Sequence, residues 1–486
     1  MVYIKMPEEF RTGADELVNL FFARDLYVFS DNTEKATEDD IHVTVDIKER
    51  ENDFEICAEL FHLNKVLYSE KAHVGKENEL NRVRIQAKVL LYNCLSYYTG
   101  KKLPWGSLTG IRPAKIVHSM LSHGATPDDA FRTLVDFYKL SEGKARLTVE
   151  VALNESDFLK DADKKVSVYI GIPFCTSRCI YCSFPSVGMD KFSHLVQDYL
   201  EALRKEAEWA AQWLKHKKMD IDTVYIGGGT PTAINEKQLD YLLNRVLPVL
   251  PLEKAREFTV EAGRPDTLNY EKLRIIKKAG VTRISINPQT MQEKTLNLIG
   301  RYHTTTQVAE AYNLARSVGF TNINCDIIAG LPEENEKDFE DTLVKIGKLD
   351  PDSVTVHTMS VKRASRLVNE RERFRQTDDE TVNRMVEMAG AFLRGKGMRP
   401  YYLYRQKNIL ANLENVGYAK PGYEGIYNIL IMEEVQTILA LGAGASTKVV
   451  YPAENRIERV FNVRNVEQYI QRIDEMLERK IKLLGT

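Results

Sequence analysis

The chain is poor in cysteine, with six in 486 residues. Three of the six crowd into positions 175, 179 and 182, unlike the dispersed spacing of a disulfide framework, so reduced thiols with a local task are expected. Net charge is nearly absent: 67 Lys and Arg stand against 69 Asp and Glu, which leaves −2 and no global attraction to nucleic acid or to a membrane surface. Long apolar runs are missing too. None reaches the ~20 residues of a membrane span, and the opening Met1-Val-Tyr-Ile-Lys-Met-Pro-Glu-Glu lacks the basic-then-apolar layout of a secretory leader. A soluble, cytoplasmic protein with no nucleic-acid partner is the expectation. No internal repeat or low-complexity segment is evident. What is present, 43% hydrophobic residues over roughly three domains' length at ~150 residues each, excludes disorder as the main state.

Residues 1–160 read as a small α+β module. The alternating stretches Ile41-His-Val-Thr-Val-Asp-Ile47 and Phe54-Glu-Ile-Cys-Ala-Glu-Leu60 predict antiparallel strands, and helical spacing follows over 80–98 and 127–138. From residue 161 the texture changes to short β-rich runs, each followed by a longer helical pattern. Six such runs are expected, at 166–172, 223–226, 257–261, 283–287, 322–328 and 353–358. The first helix shows the period, with Phe192, Leu195, Val196, Tyr199, Leu203, Ala207, Ala210 and Leu214 recurring at three- and four-residue steps. Strand then helix, repeated with right-handed crossovers, implies an α/β fold whose parallel sheet curls into a partial (β/α)6 barrel, with chemistry at the C-terminal strand ends. That barrel is assigned to 161–365. A helix-rich C-terminal extension, closing in a helix over 466–484, is assigned to 366–486.

Directly after the first expected strand comes Tyr169-Ile-Gly-Ile-Pro-Phe-Cys175-Thr-Ser-Arg-Cys179-Ile-Tyr-Cys182-Ser-Phe184. Three thiolates on one short loop can hold three irons of a four-iron cubane and leave the fourth to a non-protein ligand. Structural zinc would want a fourth protein ligand, and no His or further Cys lies nearby. Three small buried thiols are the other alternative. Cys57, Cys94 and Cys325 are expected to be buried and inert.

The Cys-x3-Cys-x2-Cys spacing resembles that of the radical S-adenosylmethionine superfamily, over about residues 166–360. The resemblance implies a [4Fe–4S] cluster held by Cys175, Cys179 and Cys182, with S-adenosylmethionine chelated to the open iron and cleaved to a deoxyadenosyl radical by an electron from the cluster. The other strand ends carry groups to match. The second ends in Gly227-Gly-Gly-Thr230-Pro-Thr, where glycines let backbone approach a ligand closely, although such a turn alone is often only a turn. Glu261 ends the third, Gln289 follows the fourth, Asp326 lies on the fifth, and Arg301 lies beyond the fourth. Carboxylates and an amide suit ribose hydroxyls and an arginine suits a carboxylate, while each taken singly also suits a surface or capping role. Alternation along the fifth strand puts Asn324, Asp326 and Ile328 on one face, with Ile328 towards adenine, and Cys325 and Ile327 on the other.

The phrases Tyr169-Ile-Gly-Ile-Pro-Phe-Cys175, Gly227-Gly-Gly-Thr-Pro-Thr232, Ile284-Ser-Ile-Asn-Pro-Gln289 and Asp326-Ile-Ile-Ala-Gly-Leu-Pro332 together resemble the oxygen-independent coproporphyrinogen III dehydrogenase group. With Leu103-Pro-Trp-Gly-Ser-Leu-Thr-Gly-Ile-Arg-Pro113 and Tyr401-Tyr-Leu-Tyr-Arg-Gln-Lys407, the whole chain is similar to its HemZ-like subgroup. The resemblance implies that Tyr169 acts beside the cluster as the catalytic tyrosine and Tyr181 lies near the cofactor. It implies Gly228, Gly229 and Thr230 at the methionine part, Glu261, Gln289 and Asp326 towards the nucleoside, and Arg301 at the carboxylate. Three positions differ from patterns within the group. Phe184 stands where the best-studied dehydrogenases have a fourth cysteine, as it does in the heme-chaperone branch. Gly171 stands in place of a histidine, and Tyr427-Asn-Ile-Leu-Ile-Met432 replaces the chaperones' His-Asn-x-x-Tyr-Trp segment.

The implied reaction converts two propionates of coproporphyrinogen III to vinyl groups with loss of carbon dioxide, fed by an electron donor such as flavodoxin or ferredoxin. A substrate with four carboxylates calls for basic groups at the barrel mouth. The segment 362–375 holds six basic residues against two acidic ones, and Lys362, Arg363 and Arg366, nearest the sixth strand, are the candidates. The alternative is a solvated helix face. Arg405 and Arg112 are further candidates whose positions also suit packing or helix-start roles. His357 is either a substrate-side proton donor or a buried, hydrogen-bonded histidine. Other functions on the same scaffold are a heme-binding carrier or chaperone, and a radical methyltransferase or heme-modifying enzyme. The N-terminal module carries no chemical motif and reads as a lid, a docking surface or a specificity element.

Overall fold

The computed structural model describes every residue except 12, 31–39, 64, 77–79, 111, 363–364, 369–373, 375–376, 408 and 486. The chain divides into two compact units, Met1–Val149 and Glu150–Thr486.

In the first unit the expected alternation builds a sheet. Its strands are β1 (Val2–Lys5), β2 (Tyr27–Phe29), β3 (Ile41–Glu49), β4 (Asp53–His62) and β5 (Lys65–Gly75), in the order β2-β1-β3-β4-β5. Ile41, Val43 and Val45 of β3 and Ile56, Ala58 and Leu60 of β4 are buried on one face, as period-two spacing requires. Helix Leu80–Thr99 covers that face with Val83, Ala87, Leu90, Leu91 and Cys94. Cys57 differs from the expectation of burial: its odd position in β4 turns it to the other face, where it is only half-buried.

The second unit is built on strands β6 (Lys165–Ile172), β7 (Phe174–Cys175), β8 (Val187–Gly188), β9 (Asp220–Gly228), β10 (Glu257–Glu261), β11 (Arg283–Ser285), β12 (Ile323–Ala329) and β13 (Ser353–Thr358). Of these, β6 and β9 to β13 lie side by side in one parallel run. They are joined by helices including Val196–Lys217, Tyr270–Lys278, Thr305–Ser317 and Glu336–Leu349. Parallel neighbours need such crossovers, and strands covered on both faces read as continuous apolar runs. Capping boxes at Asn235/Gln238, Thr304/Gln307 and Asn335/Asp338 start three of the helices.

Beyond β13 the chain holds helices Asp379–Gly395, Ile426–Glu433, Val466–Gln471 and Ile473–Leu484; the single closing helix expected over 466–484 is two, broken at Arg472, whose φ of −115° and ψ of 28° leave the helical region. It also supplies strands β14 (Arg399–Tyr404), β15 (Asn415–Ala419), β16 (Thr437–Leu441), β17 (Ser446–Tyr451) and β18 (Arg456–Phe461), which extend the sheet at both edges. On the β13 edge, β15 and then β14 join antiparallel. On the β6 edge, β16 pairs parallel with the first barrel strand, Thr437 opposite Val166 through Leu441 opposite Ile170. A buried charge cluster anchors that edge. Glu206 of helix Val196–Lys217 pairs with Lys480 and accepts from Gly442 N at 2.7 Å, Asn462 Nδ2 at 2.7 Å and Tyr469 Oη at 2.6 Å. No helix among the described residues is long and apolar enough to cross a membrane.

Candidate functional site

The cysteine loop leaves β6 at its C-terminal end and is knitted to the glycine turn after β9. Gly229 N donates to Ile172 O at 2.8 Å, Thr230 N to Phe174 O at 2.7 Å, and Thr230 Oγ1 to Cys175 Sγ at 3.6 Å. The approach is so close that a Cβ on Gly229 would lie 2.7 Å from Phe174 O and 2.8 Å from Ile172 O, and Gly228 has φ +105°, a conformation glycine adopts without strain. Cys179 is buried, and Cys175 and Cys182 are half-buried. On the far side, Ile180 N donates to Ile299 O at 3.1 Å.

Tyr181 and Arg301 meet beside this loop, with a side-chain hydrogen bond between them and the Cys179 thiol within their electrostatic reach. Arg301 Nη2 also donates to Gly263 O at 2.7 Å and Asn287 O at 2.5 Å. Gln289 takes φ +69° after β11, donates its N–H to Asp326 O and accepts from Ile328 N, both at 2.9 Å. This pins the fourth and fifth strand ends together. Asn324 and Asp326 share a face, joined by a 2.7 Å hydrogen bond, and Cys325 on the other is fully buried. Ile328 packs with Ile180, Ile299 and Met359. Burial pushes the Asp326 carboxyl up, but hydrogen bonding and charge from His357, with help from Asn324 and Thr355, outweigh it and hold the group below the usual carboxylate range.

A stack of tyrosines fills the space beneath. Tyr225 lies 4.6 Å from Tyr427 and 6.2 Å from Tyr169, ring centre to ring centre, with interplanar angles of 23° and 15°. Tyr225 Oη donates to Glu261 Oε1. Burial, with Asp326 nearby, pushes Glu261 up to about 7 against the pull of that hydrogen bond. Tyr427 is buried, and its helix is held from below by Glu257, whose carboxylate accepts from Ile426 N at 2.7 Å and Tyr427 N at 3.2 Å.

The candidates for substrate binding are scattered. Lys362 is half-buried, its ammonium drawn below its usual range by burial, with the Cys182 thiol in electrostatic reach. Arg366 is exposed, and Leu367 N beside it donates to Ile180 O at 2.9 Å. Arg363 lies outside the described residues. Arg405 is buried and donates from Nη2 to Asn412 O at 3.1 Å, so part of its fork serves a turn of its own chain. Arg112 belongs to the first unit. His357 is half-buried, its Nδ1 3.4 Å from Tyr404 Oη and its Nε2 3.7 Å from Asp326 Oδ2.

Sequence reasoning missed Arg264, Ser177 and Asn287. Arg264 is buried and donates from Nη1 to Ser177 Oγ at 2.6 Å, in the middle of the cysteine loop. The one signal available was an arginine three residues past the strand-ending Glu261. The donor set suits a cluster with one open iron: three thiols share one loop, and no other free cysteine belongs to it. A nucleoside-bearing cofactor also finds partners. Gln289 Oε1 and Arg301 Nε are buried and lack a hydrogen-bond partner, and such groups are costly to leave unmet.

Residues 169–346 match the model of the radical SAM superfamily. The chain is 41% identical over 413 residues to the oxygen-independent coproporphyrinogen-III oxidase-like protein HemZ of Bacillus subtilis (strain 168), covering 84% of this chain and 82% of that one. It is 33% identical over 312 residues to the heme chaperone HemW of the same organism, covering 64% and 76%. The solved structure of the coproporphyrinogen III oxidase HemN from Escherichia coli shares the fold, with a TM-score of 0.52 at 21% identity over 67% of this chain and 73% of that one. The chain belongs to the radical SAM superfamily, whose members bind a [4Fe–4S] cluster and S-adenosylmethionine, and within it to the HemZ-like family.

Proposed function

We propose that the protein is a cytoplasmic radical enzyme that oxidatively decarboxylates propionates of coproporphyrinogen III to vinyl groups. The observation that carries the reading is the convergence of the cysteine loop, the glycine turn and a ring of acidic and amide side chains at adjacent strand ends. In this reading Cys175, Cys179 and Cys182 hold the cluster, and the backbone of Gly228 and Gly229 with Thr230 receives the methionine part of the cofactor. Glu261, Gln289 and Asp326 take the nucleoside hydroxyls and amine, and Arg301 with Tyr181 faces the cofactor's carboxylate. When bound, the cluster and S-adenosylmethionine supply a carbon radical able to remove a hydrogen atom from the substrate.

The chain's own residues then govern access and charge. Tyr169 and the rings stacked below it keep water from the floor of the site. Lys362 and Arg366 give propionates cationic partners at the mouth, where the partly desolvated Lys362 ammonium favours an anion that replaces its lost water. An electron carrier such as flavodoxin or ferredoxin serves as donor to the cluster, and the electron left on each substrate radical when carbon dioxide departs passes to a one-electron acceptor. The name of the HemZ relative, a coproporphyrinogen-III oxidase-like protein, supports this substrate class, and that of the HemW relative, a heme chaperone, supports the competing reading of a heme carrier. The burial of Tyr427 favours the enzyme.

The test is an anaerobic incubation of cluster-reconstituted protein with S-adenosylmethionine, a reductant and coproporphyrinogen III, with deoxyadenosine and porphyrinogen products followed by mass. Loss of two carboxyl groups, matched by deoxyadenosine and abolished in Cys179→Ser, is expected. Methylated or ring-opened product would replace this reaction by another on the same scaffold. Tight stoichiometric heme binding without cofactor cleavage would replace the enzyme by the carrier.

A further inference from the structure

We infer that Arg264 and Asp266 form a charge-paired clasp that positions the cysteine loop and sets how readily its cluster accepts an electron. The inference rests on the reading of Cys175, Cys179 and Cys182 as the cluster's ligands.

Arg264 leaves the end of β10 and is only 4% exposed. Its fork is divided between two partners. Nε and Nη2 donate to Asp266 Oδ1 and Oδ2 at 3.0 and 3.1 Å, and Nη1 donates to Ser177 Oγ at 2.6 Å and Ser177 O at 3.3 Å. Ser177 is the central residue of the span between Cys175 and Cys179, and it passes the restraint on, its Oγ donating to Gly300 O at 2.8 Å. The loop is therefore gripped at its midpoint by a rigid, planar group, which a lysine would not reproduce. Arg264 in turn is fixed by a local turn in which its carbonyl accepts from Thr267 N at 3.0 Å and Thr267 Oγ1 at 2.7 Å.

The pair also has an electrical effect. Burial raises the Asp266 carboxyl, but the hydrogen bonds and charge of Arg264 outweigh it and keep the group ionised. Arg264 Nη1 sits on Ser177, two residues from both Cys175 and Cys179, so the guanidinium charge lies against the loop. Neighbouring His303 stays neutral, held down at about 3 by burial. The cation thus points at the loop and its counter-charge sits behind it. One-electron reduction by the low-potential carrier adds one negative charge to the cluster and moves no proton. Cluster potentials respond to nearby charge and hydrogen bonding, more strongly in a dry site than in water. Deleting the cation and deleting its counter-charge must then move the balance in opposite directions, which a purely mechanical clasp does not do.

The experiment uses the full chain, reconstituted anaerobically, with iron per chain and the reduced-cluster signal read in a redox titration. Arg264→Met is expected to lower the fraction reduced, at the wild-type midpoint, several-fold. Asp266→Asn is expected to raise it several-fold while keeping the grip on Ser177. Arg264→Lys is expected to stay near wild type in potential and to lose iron faster on dilution, because the charge remains and the fork does not. Shifts of the same sign in Arg264→Met and Asp266→Asn, or none in either, would overturn the inference. If Arg264→Met does not fold, Asp266→Asn alone decides, and an unmoved or lowered midpoint overturns it. Wild-type protein that takes up no cluster would overturn the ligand reading and the clasp together, whereas a wild-type cluster with unmoved variants overturns the clasp alone.

Discussion

Tyr225 Oη donates a hydrogen bond to Glu261 Oε1 across 2.5 Å, beneath the strand ends that carry the candidate cofactor residues. Burial nevertheless holds the Glu261 carboxyl up at about 7, against 4.5 for the unperturbed group. The native state therefore binds more protons than the unfolded chain in that window, and stability falls as pH rises from about 4.5 to about 7. Glu261→Gln should flatten this slope in thermal melts between about pH 5 and pH 8. If the ionised carboxylate receives the ribose hydroxyls, S-adenosylmethionine affinity should rise through about pH 7 in wild type and lose that dependence in Glu261→Gln, as followed by calorimetry. Tyr225→Phe should move the midpoint to higher pH by removing the donor.

Gly229 has no room for a side chain. An added Cβ meets Phe174 O, Ile172 O and Phe174 N, all within 2.9 Å and all backbone. Gly229→Ala should cost about 1–3 kcal/mol in denaturant unfolding and displace the cysteine loop, so that iron per reconstituted chain falls. Normal iron content at unchanged stability would show that the two backbones separate without penalty.

Tyr427, where the resemblance to the heme-chaperone branch would place a histidine, is buried with its ring centre 4.6 Å from that of Tyr225. Tyr427→His should therefore not create a heme site, and heme titration should show no new Soret band. It should cost about 1–3 kcal/mol, because an imidazole there lacks polar partners. Tyr427→Phe should be close to neutral. A Soret shift specific to Tyr427→His would mean that this helix opens to admit heme.

Lys480 is the charged partner of a fully buried Glu206. Lys480→Met leaves that carboxylate uncompensated and should cost about 3–5 kcal/mol. Adding Glu206→Gln should recover part of the loss, and a double-mutant cycle in urea measures the coupling.

Sequence pattern alone located much of this framework. The six barrel strands fall where β-rich runs alternate with helical spacing, and the period-two rule correctly put Asn324 and Asp326 on one face with Cys325 on the other. Strands β14 to β18 were not foreseen, because buried strands such as Thr437–Leu441 carry no alternation that separates them from apolar helix. The cysteine loop was visible because its spacing is local. The Arg264 contact with Ser177 joins residues 87 apart, and no local rule announces it. Arg405 shows the converse. A basic residue in a promising phrase was a candidate for the substrate mouth, and the fold buries it.

The pairing of β16 with β6 gives the protein an order of assembly. While the chain is being synthesised, β6 and its three cysteines exist long before residues 437–441 do, and Lys480 arrives later still to meet Glu206. Until then the strand that carries the cysteine loop has an open edge and Glu206 lacks its counter-ion. A chain that ends before residue 437 is therefore expected to leave the outer edge of β6 unpaired and Glu206 without Lys480.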